Sequence, residues 1–232
     1  MKKLLLFDID GTLLSTEGAA RVAFHRALIE VFGTTGPIDN HAFDGKTDPQ
    51  IARELMRLAG LNDALIDAGL PDLWKSYLTG LARELNATEH RTRVYPGVRE
   101  LLDALRGETD VVLALLTGNL AQGAQLKLAS AGLDDYFAFG AFGSDCEQRT
   151  GLPPVAVERA KATVGRGFEG KDVVVIGDTP SDVRCGEALG VFALGVATGR
   201  HSTETLLEAG ADAAFEDLSD TDAVLRALLS SR

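Results

Sequence analysis

The chain has 232 residues, 45% of them hydrophobic and 25% charged. That composition excludes a mainly disordered protein and supports a sizeable buried core. Acidic residues outnumber basic ones, 34 to 23, for a formal net charge of −11. Nucleic acid and anionic membrane surfaces both select a basic face, so neither is expected as a partner. The length suits one large domain, or one domain carrying an insertion. The apolar run behind Met1-Lys2-Lys3 stops at Asp8, too short for the core of a secretory signal. Cys146 and Cys185 form no CxxC and read as reduced thiols. His25, His41, His90 and His201 have no ligand spacing, which argues against zinc. A cytoplasmic protein, monomeric or homodimeric, is the expectation.

The first predicted element is the continuous apolar run 3–7, which suits a strand buried on both faces of a parallel sheet. Residues 15–93 then break from strand character. Apolar residues at three- and four-residue spacing predict helices over 20–32, 48–59 and 63–86, punctuated by Gly33, Gly36-Pro37, Gly60 and Pro71. After Val94-Tyr95-Pro96-Gly97 the rhythm changes to alternation. Strands are predicted over 110–116, 172–176 and 191–196, with a weaker one over 211–215. Helices are predicted over 97–106, 120–131, 154–164, 182–189 and 202–209. Strand–helix alternation implies an α/β fold with an open, mostly parallel, Rossmann-like sheet. The division expected is a core of residues 1–14 and 94–232 with an all-helical insert of residues 15–93. Residues 216–222 are acid-rich and read as a solvated loop with a helix cap.

The chemistry gathers where the predicted strands end. The first closes on Asp8-Ile9-Asp10-Gly11-Thr12, the second on Thr117-Gly118-Asn119, the third on Gly177-Asp178-Thr179-Pro180-Ser181-Asp182. In an open α/β sheet, ligands bind outside the carboxyl ends of the strands. Asp8, Asp10, Thr117, Asp178 and Asp182 are therefore expected along one edge. Clustered carboxylates raise one another's pKa values, and a hard divalent cation such as Mg²⁺ relieves that cost.

These motifs resemble those of the haloacid dehalogenase-like superfamily, in particular its magnesium-dependent phosphatases and phosphomutases with a helical cap. Asp8-Ile9-Asp10-Gly11-Thr12 matches DxDGT, Thr117 the second motif, and the stretch from Gly177 to Asp182 the acidic GDxxxD motif. The resemblance, which spans nearly the whole chain, implies Asp8 as nucleophile toward phosphorus and Asp10 as general acid and base. It implies Mg²⁺ on the Asp8 carboxylate, the Asp10 carbonyl and the Asp178 carboxylate. Thr117, Gly118 and Asn119 would hold phosphate. Asp182 would orient metal-bound water or the basic residue, unless it only caps its helix, and Thr12 would fix Asp10 and the turn around it.

One motif departs from the pattern. The lysine expected before a Pro-x-Pro-like helix start is absent, and Gly151 stands in its place. Arg149 is the substitute expected to grip phosphate, with Lys161 a weaker candidate. In the insert, Phe43-Asp44-Gly45-Lys46-Thr47-Asp48 resembles the cap loop of phosphoglycolate-phosphatase-like members. Lys46 is either a substrate contact or a solvated lysine, and Thr47 or Asp48 is the helix N-cap.

The expected function is hydrolysis of a small phosphorylated metabolite, phosphoglycolate- or sugar-phosphate-like. The alternative is a phosphomutase using the same residues. Haloacid dehalogenation fits less well because it has no use for Asp10 or Asp178. Phosphonate hydrolysis fits badly too, and an inactive phosphate-binding homologue is supported only by the missing lysine.

Overall fold

A computed structural model describes residues 2–87 and 90–230 of the chain. The first run forms β1 (Lys3–Phe7), and the chain then passes through a two-residue strand, β2 (Leu14–Ser15), into three helices. These are α1 (Ala19–Phe32), α2 (Asp48–Leu58) and α3 (Asp63–Leu85), after which β3 (Arg93–Val94) returns the chain. Then follow α4 (Val98–Arg106), β4 (Val111–Thr117), α5 (Ala121–Ala131), β5 (Gly140–Phe142), α6 (Leu152–Val164) and β6 (Val173–Gly177). The last elements are α7 (Pro180–Cys185), β7 (Phe192–Val196), α8 (Thr203–Glu208), β8 (Ala213–Phe215) and α9 (Thr221–Ser230).

Six strands form one parallel sheet in the order β5-β4-β1-β6-β7-β8. β1 lies inside it because Leu4, Leu5, Leu6 and Phe7 are fully buried and alternate between two apolar layers. Leu5 and Phe7 meet α4, α5 and α9 on one face through Leu101, Leu105, Leu128 and Leu228. Leu4 and Leu6 meet α6 on the other through Leu152, Ala156 and Ala160. The chain leaves β1 for β4 on one side and later returns to β6 on the other. The switch point of the sheet therefore falls at the carboxyl end of β1, where a ligand crevice opens.

The three helices between β2 and β3 have an apolar cluster of their own. Phe24 of α1 packs edge-on to Tyr77 of α3, with ring centroids 5.2 Å apart, and also against Trp74 and Phe43. β2 and β3 pair antiparallel, so the outgoing and returning chains lie side by side.

Of four details that bear on the expectations, two follow them and two depart. Pro71 lies inside α3, within the single helix expected over 63–86. Proline removes one backbone donor and crowds the preceding turn. The stripe Ile66, Leu73, Tyr77 and Leu81 is nevertheless fully packed, and that burial holds 23 residues in one helix. β5 was not anticipated, because three residues beginning with glycine carry no strand pattern, and it forms only as an edge partner of β4. The predicted helix 182–189 splits at Gly186 into α7 and a 3₁₀ turn, Glu187–Leu189. The acidic stretch before α9 does include a cap: the Asp220 carboxylate accepts from the Ala223 N–H at 3.0 Å. Among the described residues no helix is long and apolar enough to cross a membrane.

Candidate active site

Asp8 follows β1 directly, and its N–H still bonds to the Ile176 carbonyl of β6 at 2.9 Å. The chain then turns back, with the Leu13 and Leu14 amides both reaching the Ile9 carbonyl. Gly11 makes that turn possible at φ 86°. A Cβ there would also collide with the Asp178 carboxylate. Glycine is thus required both for the turn and for the close approach of two strand ends.

Asp8, Asp178 and Asp182 are all buried, and each offers an oxygen within 4.8 Å of the others. Burial pushes Asp178 up to about 9, helped by the charges of Asp182 and Asp8. Burial likewise raises Asp8 to about 7, against the opposing pull of Arg149. Arg149 is the cation that enters this cluster. It sits in a 3₁₀ turn just before α6, is 7% exposed, and places Nη2 3.2 Å from Asp8 Oδ1 while also bonding Asp182 Oδ1. Burial works to lower its proton affinity, but Asp182 and Asp8 outweigh that and hold it above the ordinary range. Its Nε is buried with no hydrogen-bond partner among the described residues.

Asp182 does both things the sequence left open. Its Oδ2 accepts from the Thr179 N–H and hydroxyl, completing a capping box at the start of α7, and its Oδ1 holds Arg149. Thr12 is a correction: its hydroxyl donates to Asp178 Oδ1 at 3.3 Å, not to Asp10, because the turn carries it toward β6. Cys185 donates to the Arg149 carbonyl, and burial pushes its thiol up to about 12, which leaves it a neutral group.

Asp10 points to the rim and is gripped by a lysine that sequence reasoning missed. Lys127 Nζ lies 2.8 and 2.7 Å from the two Asp10 oxygens and 2.6 Å from Asn119 Oδ1. The Asn119 amide donates to Asp10 Oδ2 and to the Thr117 hydroxyl, both at 2.7 Å. Asn119, expected on phosphate, has its side chain committed to Asp10 and Thr117. One signal for Lys127 was available. Ala124, Lys127, Leu128 and Ala131 make the buried stripe of α5, and a lysine at a core position needs a buried partner.

The helical layer meets this edge through the loop before α2. Asp48 donates its backbone N–H to the Gly118 carbonyl at 2.8 Å and accepts from the Leu120 N–H at 2.9 Å. A Cβ on Gly118 would collide with the Lys46 carbonyl, so glycine lets the two backbones touch. Thr47 is the N-cap of α2, accepting from the Gln50 N–H, while Asp48 is the first helical residue and faces the sheet edge. Burial raises Asp48 to about 6, eased by Lys127 and the Leu120 N–H. The Thr47 hydroxyl donates to the Glu147 carbonyl, and Arg53 pairs with the Glu147 carboxylate at 2.9 Å. Lys46 is not a free surface lysine. Its Nζ pairs with Glu54 at 2.5 Å and lies 3.3 Å from His41 Nε2.

Between these parts lies a cavity of about 240 Å³. Asp8, Asp10 and Thr117 lie on its sheet side, and Lys46, Phe24 and Phe43 on its helical side. Gly118, Asn119, Lys127, Arg149 and Asp178 also border it, whereas Thr12 and Asp182 stand behind the wall. Tyr77 borders it too, as part of the packing between the helices.

Comparison with known proteins agrees with this geometry. The phosphoglycolate phosphatase of Pseudomonas syringae pv. tomato (strain ATCC BAA-871 / DC3000) is 26% identical over 224 residues, covering 94% of this chain and 78% of that protein. The phosphoglycolate phosphatase of Synechococcus elongatus is 27% identical over 218 residues, covering 93% of each chain. A hydrolase of known structure from Pseudomonas syringae superposes with a TM-score of 0.71 at 22% identity, covering 97% of this chain and 98% of its own. The family model of the haloacid dehalogenase-like hydrolases matches residues 2–190. Motifs, sheet order and family match agree, and the chain belongs to the haloacid dehalogenase-like hydrolases.

Proposed function

We propose that this chain is a magnesium-dependent phosphatase of small phosphate monoesters that carries the phosphoryl group on Asp8. The observation behind this is the buried Asp8 carboxylate, held against a guanidinium 3.2 Å away and bordering a cavity of about 240 Å³. The relatives named phosphoglycolate phosphatase support a small substrate.

The site suits a hard divalent cation. Three buried carboxylates converge within 4.8 Å and, among the described residues, Arg149 alone forms an ion pair with them, which leaves more acidic groups than cations and only oxygen donors. The Asp8 and Asp178 carboxylates and the Asp10 carbonyl would hold Mg²⁺, which when bound offsets the repulsion between the Asp8 carboxylate and the phosphate oxygens. Thr12 holds Asp178 in place for this, and Asp182 holds Arg149.

The chain's residues then divide the work. An Asp8 oxygen bonds to phosphorus as the ester P–O bond breaks, giving an aspartyl-phosphate. Asp10 gives a proton to the departing alkoxide and takes one from the water that later attacks the aspartyl-phosphate. The Thr117 hydroxyl and the Gly118 N–H receive phosphate oxygens. Arg149 supplies the positive charge that the absent lysine would have given. Lys46 stands at the far side of the cavity to meet the rest of the substrate. Residues 15–93 act as a cap on a core of residues 1–14 and 94–232, excluding water while Asp8 is phosphorylated.

The test is phosphate release from a panel of phosphorylated metabolites, including phosphoglycolate and sugar phosphates, with Mg²⁺ and with chelator. Turnover that needs both Mg²⁺ and Asp8, with phosphate released stoichiometrically, is the expected result. Conversion of a sugar phosphate without phosphate release would establish the mutase reading instead.

A further inference from the structure

Lys127 has no part in the chemistry just described, yet its side chain is only 5% exposed and its ammonium is fully engaged. Removing a lysine head from water is costly unless it is paired and hydrogen-bonded. Its three acceptors are Asp10 Oδ1, Asp10 Oδ2 and Asn119 Oδ1, one for each ammonium N–H. No donor is left over for a phosphate oxygen. Asp10, by contrast, is 43% exposed on a turn. Among the described residues its carboxylate is held by just two side chains, Lys127 and Asn119. The three side chains close a ring, because Lys127 also holds Asn119 and Asn119 also holds Thr117. The ring ties the Asp10 carboxylate to the loop that ends β4 and to the start of α5.

We infer that Lys127 is a positioning residue for Asp10. With Asn119 it fixes the carboxylate at the cavity rim, where the ester oxygen of a bound substrate must lie. The inference rests on the proposed phosphatase chemistry and adds a residue that none of the family motifs contains. It implies a defect of one particular kind. Loss of Lys127 harms the protonation of a poor leaving group and spares the rest of the phosphoryl transfer.

The experiment compares kcat/KM of wild type and Lys127→Met on two substrates. One is an alkyl phosphate whose alkoxide must be protonated as it departs. The other is p-nitrophenyl phosphate, whose phenolate departs without help. Because kcat/KM reports the step that phosphorylates Asp8, slow dephosphorylation does not mask the effect. The expected loss is about 100-fold on the alkyl phosphate and less than about 5-fold on the aryl phosphate, the scale of general acid catalysis. Circular dichroism checks folding. If Lys127→Met does not fold, Asn119→Ala must show the same skew, since it opens the same ring. Equal losses on both substrates would overturn the inference, because a direct phosphate contact or a general loosening does not depend on the leaving group. If wild type hydrolyses neither substrate, the proposed function falls and the inference falls with it.

Discussion

Replacing Asp178 with asparagine should stabilise the metal-free protein, increasingly so as pH rises. Asp178 is 5% exposed and shares its pocket with Asp8 and Asp182, so its pKa stands near 9 against an ordinary 3.8. A carboxyl raised on folding contributes stability that is complete below its unfolded pKa and is lost as pH climbs toward the folded value. Over that interval the loss is at most about 1.4 kcal/mol per pH unit, which reaches about 4 kcal/mol by neutrality. Asp8 shifts in the same direction, to about 7, and takes up part of the effect because the two charges are coupled. Asparagine keeps the shape and has no charge to bury. In urea titrations with chelator, the advantage of Asp178→Asn over wild type should grow by about 1 kcal/mol per unit between about pH 5 and about pH 7. Saturating Mg²⁺ should reverse the order, because a ligand stabilises only the state that binds it. A gap independent of pH in chelator would refute the assignment of an uncompensated carboxylate cluster.

Arg149→Met removes the cation between Asp8 and Asp182 and should cost about 3–5 kcal/mol, a fall of about 10 °C in a thermal melt. Gly118→Ala drives a methyl into the Lys46 carbonyl. It should cost about 1–3 kcal/mol of stability and raise KM as the loop before α2 is pushed back, both read from unfolding and steady-state assays. Asp48→Asn keeps an acceptor for the Leu120 N–H but removes a charge that burial disfavours. Because burial raises Asp48 to about 6, the variant should match wild type in strong acid and exceed it by up to about 3 kcal/mol once pH passes that value. Thermal melts across pH would show this crossover, and parallel curves would count against it.

The sheet was legible because parallel strands covered on both faces become unbroken apolar runs, as in Leu4-Leu5-Leu6-Phe7 and Val173-Val174-Val175-Ile176. The acidic edge was legible for a related reason. The residues that follow each run are polar, and topology leaves them nowhere to go but the switch point. The sequence was silent where a partner distant in the chain decides the outcome. Thr12 lies two residues from Asp10 but bonds to Asp178, 166 residues away. Lys127 reads as one more helical lysine until α5 is turned so that it faces Asp10, 117 positions earlier. Asp48 passes for a helix cap until the Leu120 N–H claims its carboxylate.

The central claim is that Asp8 carries the phosphoryl group. The most direct measurement mixes protein, Mg²⁺ and p-nitrophenyl phosphate, quenches in acid within the first turnover, and reads intact and peptide mass. The account predicts the added mass of one phosphoryl group on the peptide holding Asp8, its loss on longer incubation, and no such mass in Asp8→Asn. Full phosphate release with the label never on Asp8, or found equally in Asp8→Asn, would contradict it.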